Sequence, residues 1–425
     1  METNKKSSFS GRLGYVMAAA GSAVGLGNIW RFPYLAAKYG GGTFLFTYII
    51  LALTVGFALL VSETALGRKT GNNPIKAYKI LGAKKLKIGG WLNSIIPILI
   101  VPYYCVVGGW VCKYLFEYLR GSSQILTQDT YFSNFIANPI SPAFWLVVFA
   151  VLTFIVVIKG VEKGIEKVSS YLMPALIVLA VIICIYVITI PGSSAGIKYY
   201  LLPDFSKFSF KTVCAAMGQM FYSMSLAMGI MITYGSYTKD EVSIVKSVNQ
   251  IEIFDTGIAI LAGMMVVPAV YIFSGEAGTS QSGAGLMFVT LPKVFTQMTA
   301  GRFIGGLFFV LVFFAALTSS VSVMEAIVSM LIDRFHISRI KACLGVIIFS
   351  VALGIPCSLG NGVWSHITIL GMDFLTFFDF ISNSLLLPIV AFFTCLMIGW
   401  STGADYIIGE ATKNGEAFKR EKIYR

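Results

Sequence analysis

Between Leu13 and Lys38 the chain carries an apolar, alanine-rich run long enough to cross a lipid bilayer, and that run is broken in its middle. Residues 21–33 read GSAVGLGNIWRFP, which sets Gly25, Gly27, Asn28, Arg31 and Pro33 where a membrane helix should be most regular. Unpaired backbone groups and a guanidinium in hydrocarbon cost several kcal/mol each. Such a stretch persists only where protein encloses it or water reaches it, so a break at mid-bilayer depth marks a binding site. A glycine packing face with a proline kink would account for the glycines. It does not account for an asparagine and an arginine beside them.

Composition places the rest of the chain in the same class. Of 425 residues, 56% are hydrophobic and 12% charged, whereas about a quarter of a soluble domain is charged; the mean hydropathy is +0.80. This is a polytopic membrane protein surrounded by lipid, with a cell membrane (the bacterial inner membrane) as its expected location. The opening METNKKSSFSGR is short, polar and basic and runs straight into the first span, unlike a cleavable signal. The seven cysteines show no CxxC spacing and lie mostly in apolar segments, which points to packing. His336 and His366 stand too far apart in sequence to suggest a metal centre. No nucleophile–base pair, HExxH or P-loop is present, so neither an enzyme nor an organic cofactor is expected.

Apolar runs predict ten spans, at about 13–38, 43–66, 89–119, 142–158, 165–190, 210–237, 244–273, 303–332, 340–355 and 374–400. The intervals 191–209, 274–302 and 356–373 are polar or rich in glycine and proline, and are expected to carry external helices or lids. Most of the 32 Lys and Arg fall on one set of loops, including seven between Arg68 and Lys87. That bias puts the N-terminus in the cytoplasm. The net charge of +12 is thereby explained as topology and lipid attraction, with no nucleic-acid partner. Ten spans divide into two fives, and an odd unit repeated must restart from the opposite side. The expected units are 1–190, an external connection 191–209, an inverted second repeat 210–400, and a cytoplasmic segment 401–425. Span 6 should then be broken like span 1, and 218–229 reads GQMFYSMSLAMG, with serines and glycines interrupting an aromatic helix.

GSAVGLGNIWRFPYLAAKYGGGTF, the pair Tyr103-Tyr104 with Trp110, and ALTSS at 316–320 closely resemble the neurotransmitter:sodium symporter family, over roughly residues 9–400. The resemblance implies an all-α polytopic membrane protein with the leucine-transporter fold, an inverted five-plus-five repeat holding substrate and two Na+ between broken spans 1 and 6 and spans 3 and 8. It implies sodium-coupled import of an amino acid by alternating access, and leaves a homodimer open. Family likeness sets the substrate carboxylate against the amides of Ala23 and Gly27, beside Leu26, with the Tyr104 hydroxyl closing the site; free N–H groups after a helix break suit an anion. The ammonium would meet carbonyls near Ser22, Tyr222 and Ser223 and the Ser225 hydroxyl. Gly25 stands where monoamine-transporting members carry Asp, so the substrate is expected to bring its own carboxylate.

By the same resemblance the first sodium takes Ala23, Asn28, Ser223, the substrate carboxylate and Asp255. The second takes the carbonyls of Gly21, Val24 and Ala315 with the hydroxyls of Thr318 and Ser319. Ordinary hydroxyl-to-carbonyl bonding within span 8 is the alternative for Thr318 and Ser319. Asp255 departs from the family, which usually has Asn there; Ala259, one turn on, replaces the serine of chloride-dependent members and the glutamate of some bacterial ones. Asp255 is therefore read as a built-in negative charge replacing chloride, with Tyr48, Gln219 and Ser223 as neighbours; a packing partner to a basic group is the alternative. Arg31 with Asp379 resembles the outer gate, under an aromatic lid of Tyr104 and Tyr222. Asp333 resembles the inner gate acid, with Tyr237 nearby, Lys6 in place of arginine and Phe9 in place of tryptophan. Gly164 and Pro174 resemble a pair that unwinds span 5, with a plain proline kink as the alternative. Ile100, Tyr104, Tyr222, Ser225, Met228, Ser319 and Val323 should line the pocket, and a small residue beside a pliable one, Ala227 and Met228, suits a bulky or aromatic side chain. A non-transporting sensor of the same fold is the competing function. Relatives have eleven or twelve spans, and 405–425 resembles the linker before an eleventh.

Overall fold

The computed structural model describes residues 8–82, 86–279 and 283–425, the side chains of 274–279 excepted. Among the described residues eight helices are long and apolar enough to cross a membrane: Gly42–Thr70, Lys87–Arg120, Ser141–Ile158, Val161–Thr189, Ile244–Phe273, Gly301–Phe335, Arg339–Leu359 and Phe374–Thr402. These are spans 2, 3, 4, 5, 7, 8, 9 and 10. Spans 1 and 6 are each split in two, as Arg12–Ala23 with Gly27–Lys38 and as Phe210–Ser223 with Ile230–Ser236. The ten predicted spans are all present, and the two predicted breaks fall in the two predicted spans.

Local chemistry sets the ends. Asn73 caps the short helix Pro74–Leu81 by accepting from the Lys76 amide, and Pro74 starts it with a fixed φ. Gly121 closes span 3 in the left-handed region at φ 87°, where a side chain would be strained. Inside the membrane, spans 3, 5, 7 and 9 all contain proline, which removes a ladder donor and bends a helix.

Packing sorts the spans into two bodies. Spans 3, 4, 8 and 9 pack on one another, and spans 1, 2, 6 and 7 form the other group. Span 1 lies between the bodies, touching span 7 on one side and spans 5 and 8 on the other. Of the predicted connections, 191–209 carries the helix Ser193–Leu201 and 274–302 carries Leu291–Gln297. The interval 356–373 differs: span 9 runs on to Leu359, and the rest is turns with an Ile369–Met372 bridge. A proline three residues before the end of span 9 does not stop it. The helix Tyr131–Ala137, between spans 3 and 4, is too short and too irregular in pattern for the sequence to announce it.

Candidate functional site

The helical ladder of span 1 ends where Val24 donates back to Ala20 at 2.7 Å. It resumes as a π-helical turn over Gly27–Arg31. In span 6 the chain leaves the helix at Met224, and Ser225 and Ala227 take left-handed φ of 54° and 59°. Each such residue costs about 1–3 kcal/mol unless its surroundings hold it. Two contacts do. Ser225 Oγ donates to the Ser22 carbonyl at 3.1 Å and lies 3.0 Å from Ser22 Oγ, tying one break to the other. On the other side the Ala227 amide donates to Glu63 Oε1 at 2.9 Å, and Glu63 is fully buried. Sequence reasoning misses Glu63, although an acid inside an apolar span is signal enough.

Asp255 stands at the centre of the arrangement, 0% exposed. It accepts from Asn28 Nδ2 at 2.8 Å, Tyr48 Oη at 2.9 Å and Ser223 Oγ at 3.3 Å. These donors come from spans 1, 2 and 6, all neutral, and among the described residues no basic group pairs with it. Gln219 makes no hydrogen bond to Asp255 among the described residues; it donates to the Gly27 carbonyl at 2.8 Å, and its Oε1 is buried without a partner. Across span 1, a β-carbon added to Gly21 would stand 3.3 Å from Thr318 Cβ and 3.1 Å from Ser169 Oγ, so this backbone faces spans 8 and 5 directly. Thr318 Oγ1 donates within its own helix, to Phe314 at 2.9 Å and Ala315 at 3.2 Å, which leaves its lone pairs free to accept a cation. Carbonyls, hydroxyls, an amide oxygen and one carboxylate make an all-oxygen donor set, and that suits a hard cation such as Na+.

Between the two breaks lies a pocket of about 10 Å³, lined by Ala23, Gly25, Gly27, Ile100, Tyr104, Tyr222, Ser223, Ser225, Met228, Ser319 and Val323. Its walls are in contact. A β-carbon on Gly27 would meet the Tyr222 ring at 2.8 Å, and one on Gly25 would meet Ser319 at 2.8 Å and the Tyr104 hydroxyl at 3.0 Å. Tyr104 accepts from the Leu26 amide at 3.3 Å. Leu26 itself faces a second cavity of about 430 Å³, which Tyr104 and Tyr222 separate from the pocket and which Arg31, Asp373 and Asp379 also line.

The gates differ in detail from the expectation. Arg31 lies over the Tyr222 ring at 5.4 Å with Nη1 buried and unbonded, and Asp379 accepts from Asn383 at 2.7 Å. They share a cavity, but among the described residues they form no ion pair. At the other end Asp333 accepts from Asn73 Nδ2 at 2.9 Å. Tyr237 donates instead to Glu325 at 2.9 Å, and Arg339 also grips that carboxylate. The Tyr237 hydroxyl is thus held by a second, buried acid, two turns further into span 8 than Asp333. Lys6 lies outside the described residues. Phe9 is buried among Tyr15, Tyr234 and Tyr237. The carboxylate of Glu166, at the end of the π-helical turn containing Gly164, accepts from both the Ser10 amide, at 2.9 Å, and the Ser10 hydroxyl.

The model of the sodium:neurotransmitter symporter family matches residues 6–125 and 124–421. The chain is 35% identical to the sodium-dependent transporter YhdH of Bacillus subtilis, over 99% of this chain and 93% of that one. The bovine sodium- and chloride-dependent taurine transporter is 27% identical over 94% of this chain and 72% of its own. Among solved structures, the crystal structure of MhsT in complex with L-phenylalanine superposes with a TM-score of 0.90 at 34% identity, covering 99% of this chain and 95% of that one. Broken spans, the anionic centre and these relationships agree: the chain belongs to the sodium:neurotransmitter symporter family and is a sodium-dependent symporter of the membrane.

Proposed function

We propose that the protein imports a zwitterionic amino acid with an aromatic or bulky aliphatic side chain, coupled to two sodium ions and independent of chloride. Asp255 carries this reading. A zwitterion entering with two cations leaves excess positive charge in a site of low dielectric, where uncompensated charge is costly. A buried carboxylate bonded only by neutral donors supplies the balancing charge covalently. In this reading Asp255, Asn28, Ser223 and Ala23 hold the first ion, and Gly21, Val24, Ala315, Thr318 and Ser319 hold the second. The substrate carboxylate meets the amides after the break in span 1, and Arg31, Asp379 and the two tyrosines close over it from the outer cavity. The units 1–190 and 210–400 act as the two inverted halves, with the N-terminus cytoplasmic. The side chain faces Ile100, Met228 and Val323, and the phenylalanine bound by MhsT supports an aromatic substrate.

The test is uptake of labelled phenylalanine into proteoliposomes. Replacing sodium with choline should abolish it, and replacing chloride with gluconate should not change it. A competition series over all twenty amino acids then ranks substrates. Uptake that needs chloride, or that ignores sodium, overturns the reading.

A further inference from the structure

Residues 404–425 are built into the same body as the site. The helix Ala404–Ala411 lies on span 2. There Arg68 donates to Glu410 at 2.7 Å, both side chains almost wholly buried. Lys413 reaches Asp240, just after span 6, at 2.6 Å. Phe418 packs on Phe57 and Tyr424, and the Tyr424 hydroxyl meets Ser62 of span 2 at 2.9 Å.

Arg420 goes deepest. Its guanidinium lies 3.6 Å above the centre of the Phe57 ring. Nη1 donates to the Leu53 carbonyl at 3.2 Å and to Glu252 Oε1 at 3.0 Å, while Nη2 donates to Glu252 Oε2 at 2.5 Å and to Asn249. Leu53 and Phe57 are on span 2; Asn249 and Glu252 are on span 7. The Glu252 side chain is 2% exposed and that of Arg420 25%. Glu252 precedes Asp255 by three residues, so both carboxylates leave the same face of span 7 one turn apart. Tyr48, which donates to Asp255, is on span 2. Arg420 therefore bridges the same two helices that Tyr48 and Asp255 bridge.

We propose that Arg420 is a positioning residue for the sodium site: it holds Glu252 as half of a neutral pair, so that this carboxylate does not add its charge to that of Asp255. The proposal rests on the reading of Asp255 as the anionic sodium ligand. Only a planar fork can engage both carboxylate oxygens while stacking on an aromatic ring. Removing one partner of a buried pair leaves the other charge uncompensated, and at one turn's distance that charge acts on a bound cation.

The test measures, in the full chain, the sodium concentration for half-maximal substrate binding, together with the melting temperature. Arg420→Gln adds net negative charge beside the site and should lower the half-saturating sodium by about threefold or more. Glu252→Gln leaves the guanidinium positive and should raise it by a similar factor. The double variant Arg420→Gln/Glu252→Gln should return to within about twofold of wild type. A merely structural pair would instead move both single variants the same way, in step with melting temperature. That result overturns the proposal, as does an unmoved sodium dependence in the single variants. Should Arg420→Gln fail to fold, Arg420→Lys takes its place; it keeps the charge and must leave sodium half-saturation near wild type while Glu252→Gln raises it. Asp255→Asn separates the two readings. If it leaves sodium dependence unaltered, the ligand reading fails and this proposal with it. If it destroys sodium dependence while charge changes at 252 and 420 do nothing, only the role of Arg420 fails.

Discussion

At position 255 one oxygen-bearing side chain replaces another of nearly the same shape, and the difference is a charge. Asn28, Tyr48 and Ser223 all donate to the Asp255 carboxylate, and an asparagine there could satisfy only part of this set. In Asp255→Asn the excess positive charge of substrate and sodium loses its counterpart. Uptake should fall at least about a hundredfold or become chloride-stimulated, and comparing chloride with gluconate buffers decides which. A variant that keeps both its rate and its indifference to chloride would remove Asp255 from the charge balance. Gly25 is the second decisive residue. A methyl group there would stand 2.8 Å from Ser319 and 3.0 Å from the Tyr104 hydroxyl, and overpacking of this kind costs about 1–3 kcal/mol. Gly25→Ala should therefore weaken substrate binding by about tenfold or more at saturating sodium, measured by competition with a labelled ligand.

Broken helices need partners for what they expose, and those partners are what the sequence conceals. The break in span 1 is legible because glycine, asparagine, arginine and proline together are too costly in hydrocarbon to stand anywhere but at a site. The break in span 6 is legible mainly through its place in the repeat. Which side chains brace the breaks depends on how neighbouring spans are rotated, and apolar runs without strong periodicity do not reveal rotation. Glu166 escapes a reading of the sequence for that reason, and so does Glu325, which the rotation of span 8 presents to Tyr237. Glu63 acts as an acceptor for the Ala227 amide beside a left-handed residue. An amide left unpaired there costs about 1–3 kcal/mol, so Glu63→Ala should lose transport whereas Glu63→Gln, which keeps an acceptor oxygen, should retain most of it. Equal loss in both would mean that the charge matters rather than the bond. Span 1 has no side-chain cap of its own at Gly11, and Glu166 of span 5 instead ties down its entry by accepting from the Ser10 amide and hydroxyl. Glu166→Ala should raise hydrogen exchange in residues 9–20 about tenfold with sodium present, with little change in spans 3 and 8.

The two proposed ion sites would relate differently to the two bodies of the molecule. Ala23, Asn28, Ser223 and Asp255 all belong to spans 1, 6 and 7, within one body. Gly21 of span 1 faces Thr318 of span 8, and Gly25 faces Ser319, so the second proposed set would span the boundary between bodies. An ion within one body can shape the pocket but has little to hold the bodies together. An ion across the boundary binds the closed arrangement better than the open one, and only such differential affinity can shift the equilibrium between them. Sodium should therefore close the basic face of the molecule through the second site, without substrate, because that set contains no substrate atom. In hydrogen exchange, sodium in place of potassium should protect residues 9–20 of the wild-type protein. Thr318→Ala/Ser319→Ala should lose that protection and raise the sodium needed for half-maximal binding, while Asp255→Asn should keep the protection although it no longer transports normally. The reverse pattern, protection lost in Asp255→Asn and kept in the double alanine variant, would place the bridging ion at the other set of ligands.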